Sequence, residues 1–348
     1  MAAYPSGLRG RFAKPLFVGS NPTAACCSAR LFRHLIIFII PLLAEGIVSC
    51  YNLWPMRLKL LLISLMVFWV AGCEQKADPN EPVGFLQVKG SDTIVNAEQK
   101  VSEEFMKDYP HIFVAITGGG SGVGIASLIS KTCNIATASR EMKPKEIELA
   151  NKRGVDPCEF TVAYDGVAVI VNHENPVSQL TIEDLHKIFT GEITNWKEFG
   201  GKDLPIVTLS REVSSGTYSY FKEEVVRLGK KDSVEEFPSD TLLLSSSQAI
   251  VEEVVTNPAA IGYLGMGYVS ERTKSLKLGR GGAQFYPPNI DNVLNKTYPL
   301  SRGLYFYTNG QPEGITKLFI DFTLGAKGQQ QFIDTGFVPL GANVAKKD

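Results

Sequence analysis

The chain has 348 residues, with 35 Lys and Arg against 36 Asp and Glu, so its net charge is −1; 44% of residues are hydrophobic and 20% charged. This length admits two or three domains, and the balanced charge supplies no bulk attraction for nucleic acid. Four histidines, none at ligand spacing from a cysteine pair, speak against a metal centre, and nothing in the sequence calls for a cofactor.

The first 72 residues differ in character from the rest. "MRLKLLLISLMVFWVAGC" opens at Met56 with Arg57 and Lys59, continues through an apolar run from Leu60 to Val70 and ends in small residues. That order of charge, apolar core and small residues is a secretory signal, and the run is short of the roughly 20 residues that span a bilayer. Val70-Ala71-Gly72-Cys73 resembles the bacterial lipoprotein box, in which the cysteine receives lipid and becomes the new N-terminus. The plainer alternative is a signal peptide with an incidental cysteine. On the lipoprotein reading, 56–72 is the signal and the polar stretch 73–82 a tether. A second apolar run, "LIIFIIPLLAEGIV", precedes this complete signal, and residues 1–55 then read as an extension upstream of a true start at Met56.

From residue 83 onward, short apolar runs alternate with helical patterns, which predicts an α/β fold. "FLQVKG" reads as a strand and 93–108 as a helix ending before Pro110. "IFVAIT" and "GVGIASLISK" read as strand and helix, then "NIATAS" as a strand and "PKEIELANKRG" as a helix opened by Pro144 and closed by Gly154. "FTVAYDGVAVIVN" is about twice the usual strand length and suits a crossover between two lobes. "TIEDLHKIF" follows as a helix, with Thr181 and Asp184 spaced like a capping box. "PIVTLS" is a strand, "SSQAIVEEVVTNP" a helix, "AAIGYLG" and "LYFYT" strands, and "PEGITKLFIDFTL" and "QQQFIDTG" helices.

Three turns share one design, a strand followed by small polar residues and a helix start: "KGSDTIVN" (89–96), "TGGGSGVGIAS" (117–127) and "SREVSSGTYSYF" (210–221). Each on its own is explained by Ser or Thr capping a helix. Together, with Arg211 beside the third, they form an anion site built from backbone N–H groups and hydroxyls. The glycines fit neither the dinucleotide nor the P-loop spacing, and no nucleophile elbow occurs. Cys133 and Cys158 lie downstream of Cys73 and are either a disulfide, as suits an exported protein, or two free thiols.

The segments "GSDTI", "GGGSGVGI", "NIATASREMK", "YDGVAVIVN", "IFTGEITNW", "SREVSSGT", "NPAAIGY" and "YPLSRGLYFYT", in this order over about 85–340, resemble the phosphate-binding proteins of bacterial phosphate ABC transporters. The resemblance implies the two-lobed periplasmic binding protein fold, each lobe a mixed sheet flanked by helices, with 83–168 plus 268–348 as lobe 1 and 169–267 as lobe 2. It implies inorganic phosphate and a membrane permease as partners, no catalysis and an extracytoplasmic location. Carried over by position, Ser91, Thr93, Ile94, Ser121 and Ser139 fall in the first-lobe cradle, and Arg211, Ser215, Gly216 and Thr217 in the second. Some family members place an aspartate after the third-strand serine, where it accepts the proton of hydrogen phosphate. Here that position is Arg140, which donates only. Arg140 then either touches the oxyanion or lies at the surface or between lobes. Asp165 is the leading replacement acceptor, ahead of Asp92, its plainer reading being a hinge aspartate. Arg302 reads as the partner of a carboxylate outside the site. Other tetrahedral oxyanions such as sulfate or molybdate, and less readily an exported phosphoesterase, are the competing functions.

Overall fold

The computed structural model describes residues 81–230, 232–281 and 284–341. The signal, the lipidation position Cys73 and the upstream extension lie outside the described residues. Among the described residues no helix is long and apolar enough to cross a membrane.

Chain order begins with three strand–helix units: β1 (Gly84–Gly90), α1 (Val95–Asp108), β2 (Ile112–Thr117), α2 (Ser121–Ile129), β3 (Ile135–Ala138) and α3 (Pro144–Lys152). β4 (Pro157–Val171) follows, and its 15 residues match the long apolar run read from the sequence. Next come β5 (Gln179–Thr181), α4 (Ile182–Phe189), β6 (Val207–Arg211) and α5 (Gly216–Phe221), which runs into a π turn at Lys222–Val226. β7 (Leu242–Leu244), α6 (Ser247–Thr256), β8 (Ala260–Gly265), β9 (Lys274–Ser275), β10 (Lys277–Gly279) and α7 (Ile290–Leu294) lead to β11 (Ser301–Asn309), α8 (Gly314–Leu324) and α9 (Ala326–Asp334).

Among the described residues, nine strands form one mixed sheet in the order β2-β1-β3-β11-β4-β8-β6-β7, with β9 also on β4. β1 pairs in parallel with β2 and β3, and β6 pairs in parallel with β7 and β8. The antiparallel pairs lie at the centre, where β4 spends its first ten residues on β11 and its last five on β8. One strand therefore belongs to both ends of the sheet. Val167 to Val171 are all fully buried because apolar side chains pack on both faces: Val167, Val169 and Val171 in one cluster with Phe189, Phe221 and Tyr263, and Ala168 and Ile170 in another with Ile250 and Leu264. The other end of the sheet has its own two clusters, one around Val88, Phe105 and Phe319 and one around Ile125, Ala136 and Tyr307. Each fully buried Phe contributes roughly 1.5–3 kcal/mol.

Local chemistry explains the element ends. Thr181 accepts from the Asp184 N–H at 3.0 Å while the Asp184 carboxylate accepts from the Thr181 N–H at 2.9 Å, the reciprocal capping expected from the sequence. The paired three-residue strands β5 and β10 are too short to carry a periodic signal, and sequence reading passed over them.

Cys133 and Cys158 are both free. The strand order gives the reason: β11 runs between β3 and β4, with Tyr307 opposite Ala136 on one side and Thr308 opposite Cys158 on the other. Cys133, just before β3, is thus about two strand spacings, or ~10 Å, from Cys158. A disulfide needs Cα atoms within about 7 Å. Of the two alternatives, the structure has the free thiols. Burial pushes the Cys133 thiol up to about 11, away from reactive thiolate.

Candidate functional site

The turns following β1, β2 and β6 converge with the end of β3. Four buried hydroxyls meet there, one from each segment. Thr93 Oγ1 lies 2.8 Å from Thr217 Oγ1 and donates to Ser139 Oγ at 3.4 Å; Ser121 Oγ lies 3.4 Å from Ser139 Oγ and accepts the Ser139 N–H at 3.0 Å. The approach is close enough to forbid side chains at two glycines. A Cβ on Gly216 would stand 2.3 Å from Ser121 Oγ and 2.6 Å from Ser139 Oγ; one on Gly120, whose φ is +95°, would stand 2.7 Å from the Ser214 carbonyl. That carbonyl accepts the Gly122 N–H at 2.9 Å, so the turns after β2 and β6 are also joined through backbone.

Ser91, Ile94 and Ser215 build the turns rather than joining the hydroxyl cluster. Ser91 Oγ accepts the Thr93 N–H at 3.2 Å, and its own N–H donates to Thr137. Ile94 is the N-cap residue of α1 and is fully buried. Ser215 Oγ caps α5 by accepting from Thr217 and Tyr218 N–H at 3.2 and 3.4 Å.

The charged residues fall into three separate pairs. Arg211 is buried at the end of β6, with Nη2 donating to Asp92 Oδ2 at 3.0 Å and to the Ser245 carbonyl at 2.8 Å. Its Nη1 donates to Ser247 Oγ at 3.0 Å and its Nε to the Leu244 carbonyl at 3.3 Å. Asp92 also accepts the Gly119 N–H at 2.8 Å, which ties the turns after β1 and β2 to β6. Arg140 points elsewhere: its guanidinium grips both oxygens of Glu146 at 2.8 Å, and the Glu146 carboxylate also caps α3 through the Lys143 N–H. Burial alone would raise the Glu146 carboxyl, but the hydrogen bonds from Arg140 and the Lys143 N–H, with the charges of both residues, together hold it below its usual range. The geometry gives no support to direct contact between Arg140 and the hydroxyl cluster.

The guanidinium that does touch the cluster is that of Arg302, which sequence reading set outside the site. Arg302 Nη2 donates to Thr217 Oγ1 at 2.9 Å and to Asp165 Oδ2 at 2.7 Å, and Nε donates to the same oxygen at 3.0 Å. Arg302 stands directly opposite Asp165 in the β11–β4 ladder. Asp165 is fully buried and accepts the Met266 N–H at 3.0 Å on its other oxygen. Burial raises its carboxyl above the ordinary range, against the opposing pull of Arg302 and the Met266 N–H. Only cross-strand register places Arg302 here. The sole signal in the sequence was "YPLSRGLY" itself, an arginine in an otherwise apolar strand.

A second missed residue is Glu98, in the first turn of α1. Both its carboxylate oxygens are buried without a hydrogen-bond partner. Burial pushes it to about 8, with Thr137 nearby lowering it and Asp92 raising it further. Among the described residues, no cluster of three or more His, Cys, Asp or Glu is placed to hold a metal.

Such a junction of helix starts, hydroxyls and buried charge at strand ends is the place where open α/β sheets bind ligands. Residues 75–327 match the PBP superfamily domain, and that is the class of protein the fold and site define. The phosphate-binding protein PstS of Pseudomonas aeruginosa is 33% identical over 283 residues, covering 76% of this chain and 85% of that one. PstS of Staphylococcus saprophyticus is also 33% identical, over 76% of this chain and 83% of its own. Among solved structures, an ABC-type phosphate transport receptor from Vibrio cholerae shares 31% identity with a TM-score of 0.59, covering 73% of this chain and 99% of that one. This chain belongs to the PstS family of phosphate-binding proteins.

Proposed function

We propose that this protein is the extracytoplasmic substrate-binding component of a phosphate ABC transporter and holds inorganic phosphate at the four-hydroxyl junction between two lobes. The observation that carries the reading is the convergence of Thr93, Ser121, Ser139 and Thr217, buried and mutually within 3.4 Å along the chain of contacts, beside the Arg302–Asp165 pair. Hydroxyls that bond to one another across the junction can exchange those bonds for a tetrahedral oxyanion with little change in hydrogen-bond count.

The sequence reading gives 83–168 with 268–348 as lobe 1 and 169–267 as lobe 2. The separate core clusters at the two ends of the sheet support two lobes sharing β4 but shift one boundary: Leu276, Leu278, Val293, Tyr298 and Leu300 pack in the cluster of Phe189 and Phe221, and β10 pairs with β5, so this stretch goes with lobe 2. Rotation about β4 opens and closes the junction. Asp165 serves as the acceptor for the proton of hydrogen phosphate. Its Oδ1 accepts one N–H, and a carboxylate oxygen has room for a second donor. Sulfate has no such proton to give near neutral pH. Cys73 carries the lipid that keeps the protein at the membrane, and a permease receives the phosphate.

Isothermal titration tests the reading. Phosphate is expected to bind and sulfate to give no saturable heat. Tight sulfate binding without a phosphate signal would assign the site to another oxyanion. Hydrolysis of an aryl phosphate, abolished by Ser215→Ala, would make the protein an esterase instead.

A further inference from the structure

Glu98 takes no part in the hydroxyl junction, yet it stands close behind it. It lies in the first turn of α1, where its N–H donates to the Ile94 carbonyl at 2.9 Å, and its side chain is buried. Neither carboxyl oxygen has a hydrogen-bond partner among the described residues. A carboxylate buried in that way is far costlier than the neutral acid. Burial accordingly pushes Glu98 up to about 8, so near neutral pH the side chain is an uncharged acid.

Its surroundings connect it to the junction. Thr137 of β3 is the hydroxyl beside it. Thr137 Oγ1 and the Thr137 carbonyl both accept the Ser91 N–H, at 2.9 and 3.0 Å, and Ser91 Oγ accepts the Thr93 N–H at 3.2 Å. Glu98 therefore abuts the link between the segments that supply Thr93 and Ser139. Asp92, in the turn after β1, is the charged group that bears on it, and it opposes ionisation. Tyr268, after β8, is within electrostatic reach; burial holds that phenol well above its usual value, and its hydroxyl donates to the Asp92 carbonyl at 2.7 Å. From α8 and α9, the apolar Phe319, Ile320 and Phe332 join the cluster that buries α1.

We propose that Glu98 couples phosphate affinity to a proton: the junction captures phosphate while this buried carboxyl is neutral and holds it more weakly once the carboxyl ionises. Glu98 does not touch the ligand and acts through the field at the junction. Neutral, it leaves the start of α1 free to attract an anion; ionised, it adds a second negative charge to that of Asp92 behind the oxyanion. The coupling is reciprocal, so bound phosphate also keeps the proton on Glu98. The inference rests on the phosphate reading, and titrating the unaltered protein with phosphate and sulfate tests that reading separately.

Glu98→Gln removes the titrating group and keeps its shape. Phosphate's own ionisation acts on both proteins alike, so a comparison of their Kd values across pH isolates Glu98. With each protein referred to its own Kd at about pH 6.5, the unaltered protein should lose roughly tenfold more affinity than the variant by about pH 9.5. Calorimetric titrations near pH 8.5, in two buffers of different ionisation enthalpy, should show the unaltered protein taking up about half a proton more per phosphate bound. Parallel affinity curves, or equal proton uptake by the two proteins, would overturn the inference.

Should the variant fail to fold, the unaltered protein decides. With ¹³C-labelled glutamate, the Glu98 carboxyl resonance is expected to titrate near pH 8 without ligand and at higher pH with phosphate bound. A Glu98 carboxyl already ionised at about pH 6, or one whose midpoint phosphate leaves in place, would refute the coupling. Failure of the unaltered protein to bind phosphate at all would count against the function, and the same spectra recorded with whichever oxyanion does bind would still judge Glu98.

Discussion

Two arginine–aspartate pairs flank the hydroxyl junction, and they are built differently. Arg302 and Asp165 face each other on adjacent strands, with side chains 3% and 0% exposed. Arg211 and Asp92 come from segments 119 residues apart, and the Asp92 side chain is 17% exposed. Arg211 is held by two backbone carbonyls and a serine whether or not Asp92 is present. Arg302 has no carbonyl holding it, only Asp165 and Thr217. Arg211 therefore keeps its place without its aspartate, whereas Arg302 depends on Asp165 and Thr217. The depth of each aspartate then decides how much its loss costs.

Removing the aspartates separates the pairs most sharply. Asp165→Ala leaves a buried, uncompensated guanidinium and should destabilise the fold by about 3–5 kcal/mol. Asp92→Ala should cost only ~1–2 kcal/mol, since Arg211 keeps its other acceptors. Denaturant unfolding of both variants measures the gap, and equal losses would erase the distinction. Gly216→Ala comes next. Its methyl would meet two buried serine hydroxyls at 2.3 and 2.6 Å, so phosphate affinity should drop by at least about tenfold and the fold should lose about 1–3 kcal/mol.

A smaller effect tests the ground beneath the pairs. Glu98 has a folded-state pKa of about 8, above its ordinary carboxyl value of 4.5. Between those values the folded state binds the extra proton, so this contribution to stability is fully present below the unfolded pKa and is lost as pH rises through about 8. Glu98→Gln should flatten the fall in melting temperature between pH 6 and 9 by several degrees, roughly what a few kcal/mol produces in a domain of this size. A variant as pH-sensitive as the unaltered protein would show that Glu98 is not the titrating group. Smallest of all, Arg140→Gln should change phosphate affinity less than about threefold and cost ~1 kcal/mol of stability, because Arg140 serves Glu146 and the start of α3. A large loss of affinity on titration would return Arg140 to the site.

Sequence reading reached the parts of this molecule that are local. The strand–turn–helix units, the Thr181 cap and the length of β4 all follow from residue patterns within 15 positions of one another. The hydroxyls were legible because small polar residues at helix starts have few uses. Arg302 was not, because its role depends on which strand lies beside β4, and the strand that supplies it comes 130 residues later in the chain, at 301–309. Arg140 misled for the same reason in reverse. Its sequence position beside Ser139 suggested the junction, but Glu146 six residues on supplies a nearer partner. The cysteine pair looked bridgeable until β11 was placed between β3 and β4.

The central claim is that phosphate sits among the four hydroxyls at the junction, beside the Arg302–Asp165 pair. A crystal structure of the phosphate complex tests it most directly. The account predicts phosphate oxygens within hydrogen-bonding distance of Thr93, Ser121, Ser139 and Thr217, and the Asp165 carboxylate against the protonated oxygen. Phosphate bound away from these hydroxyls would contradict it.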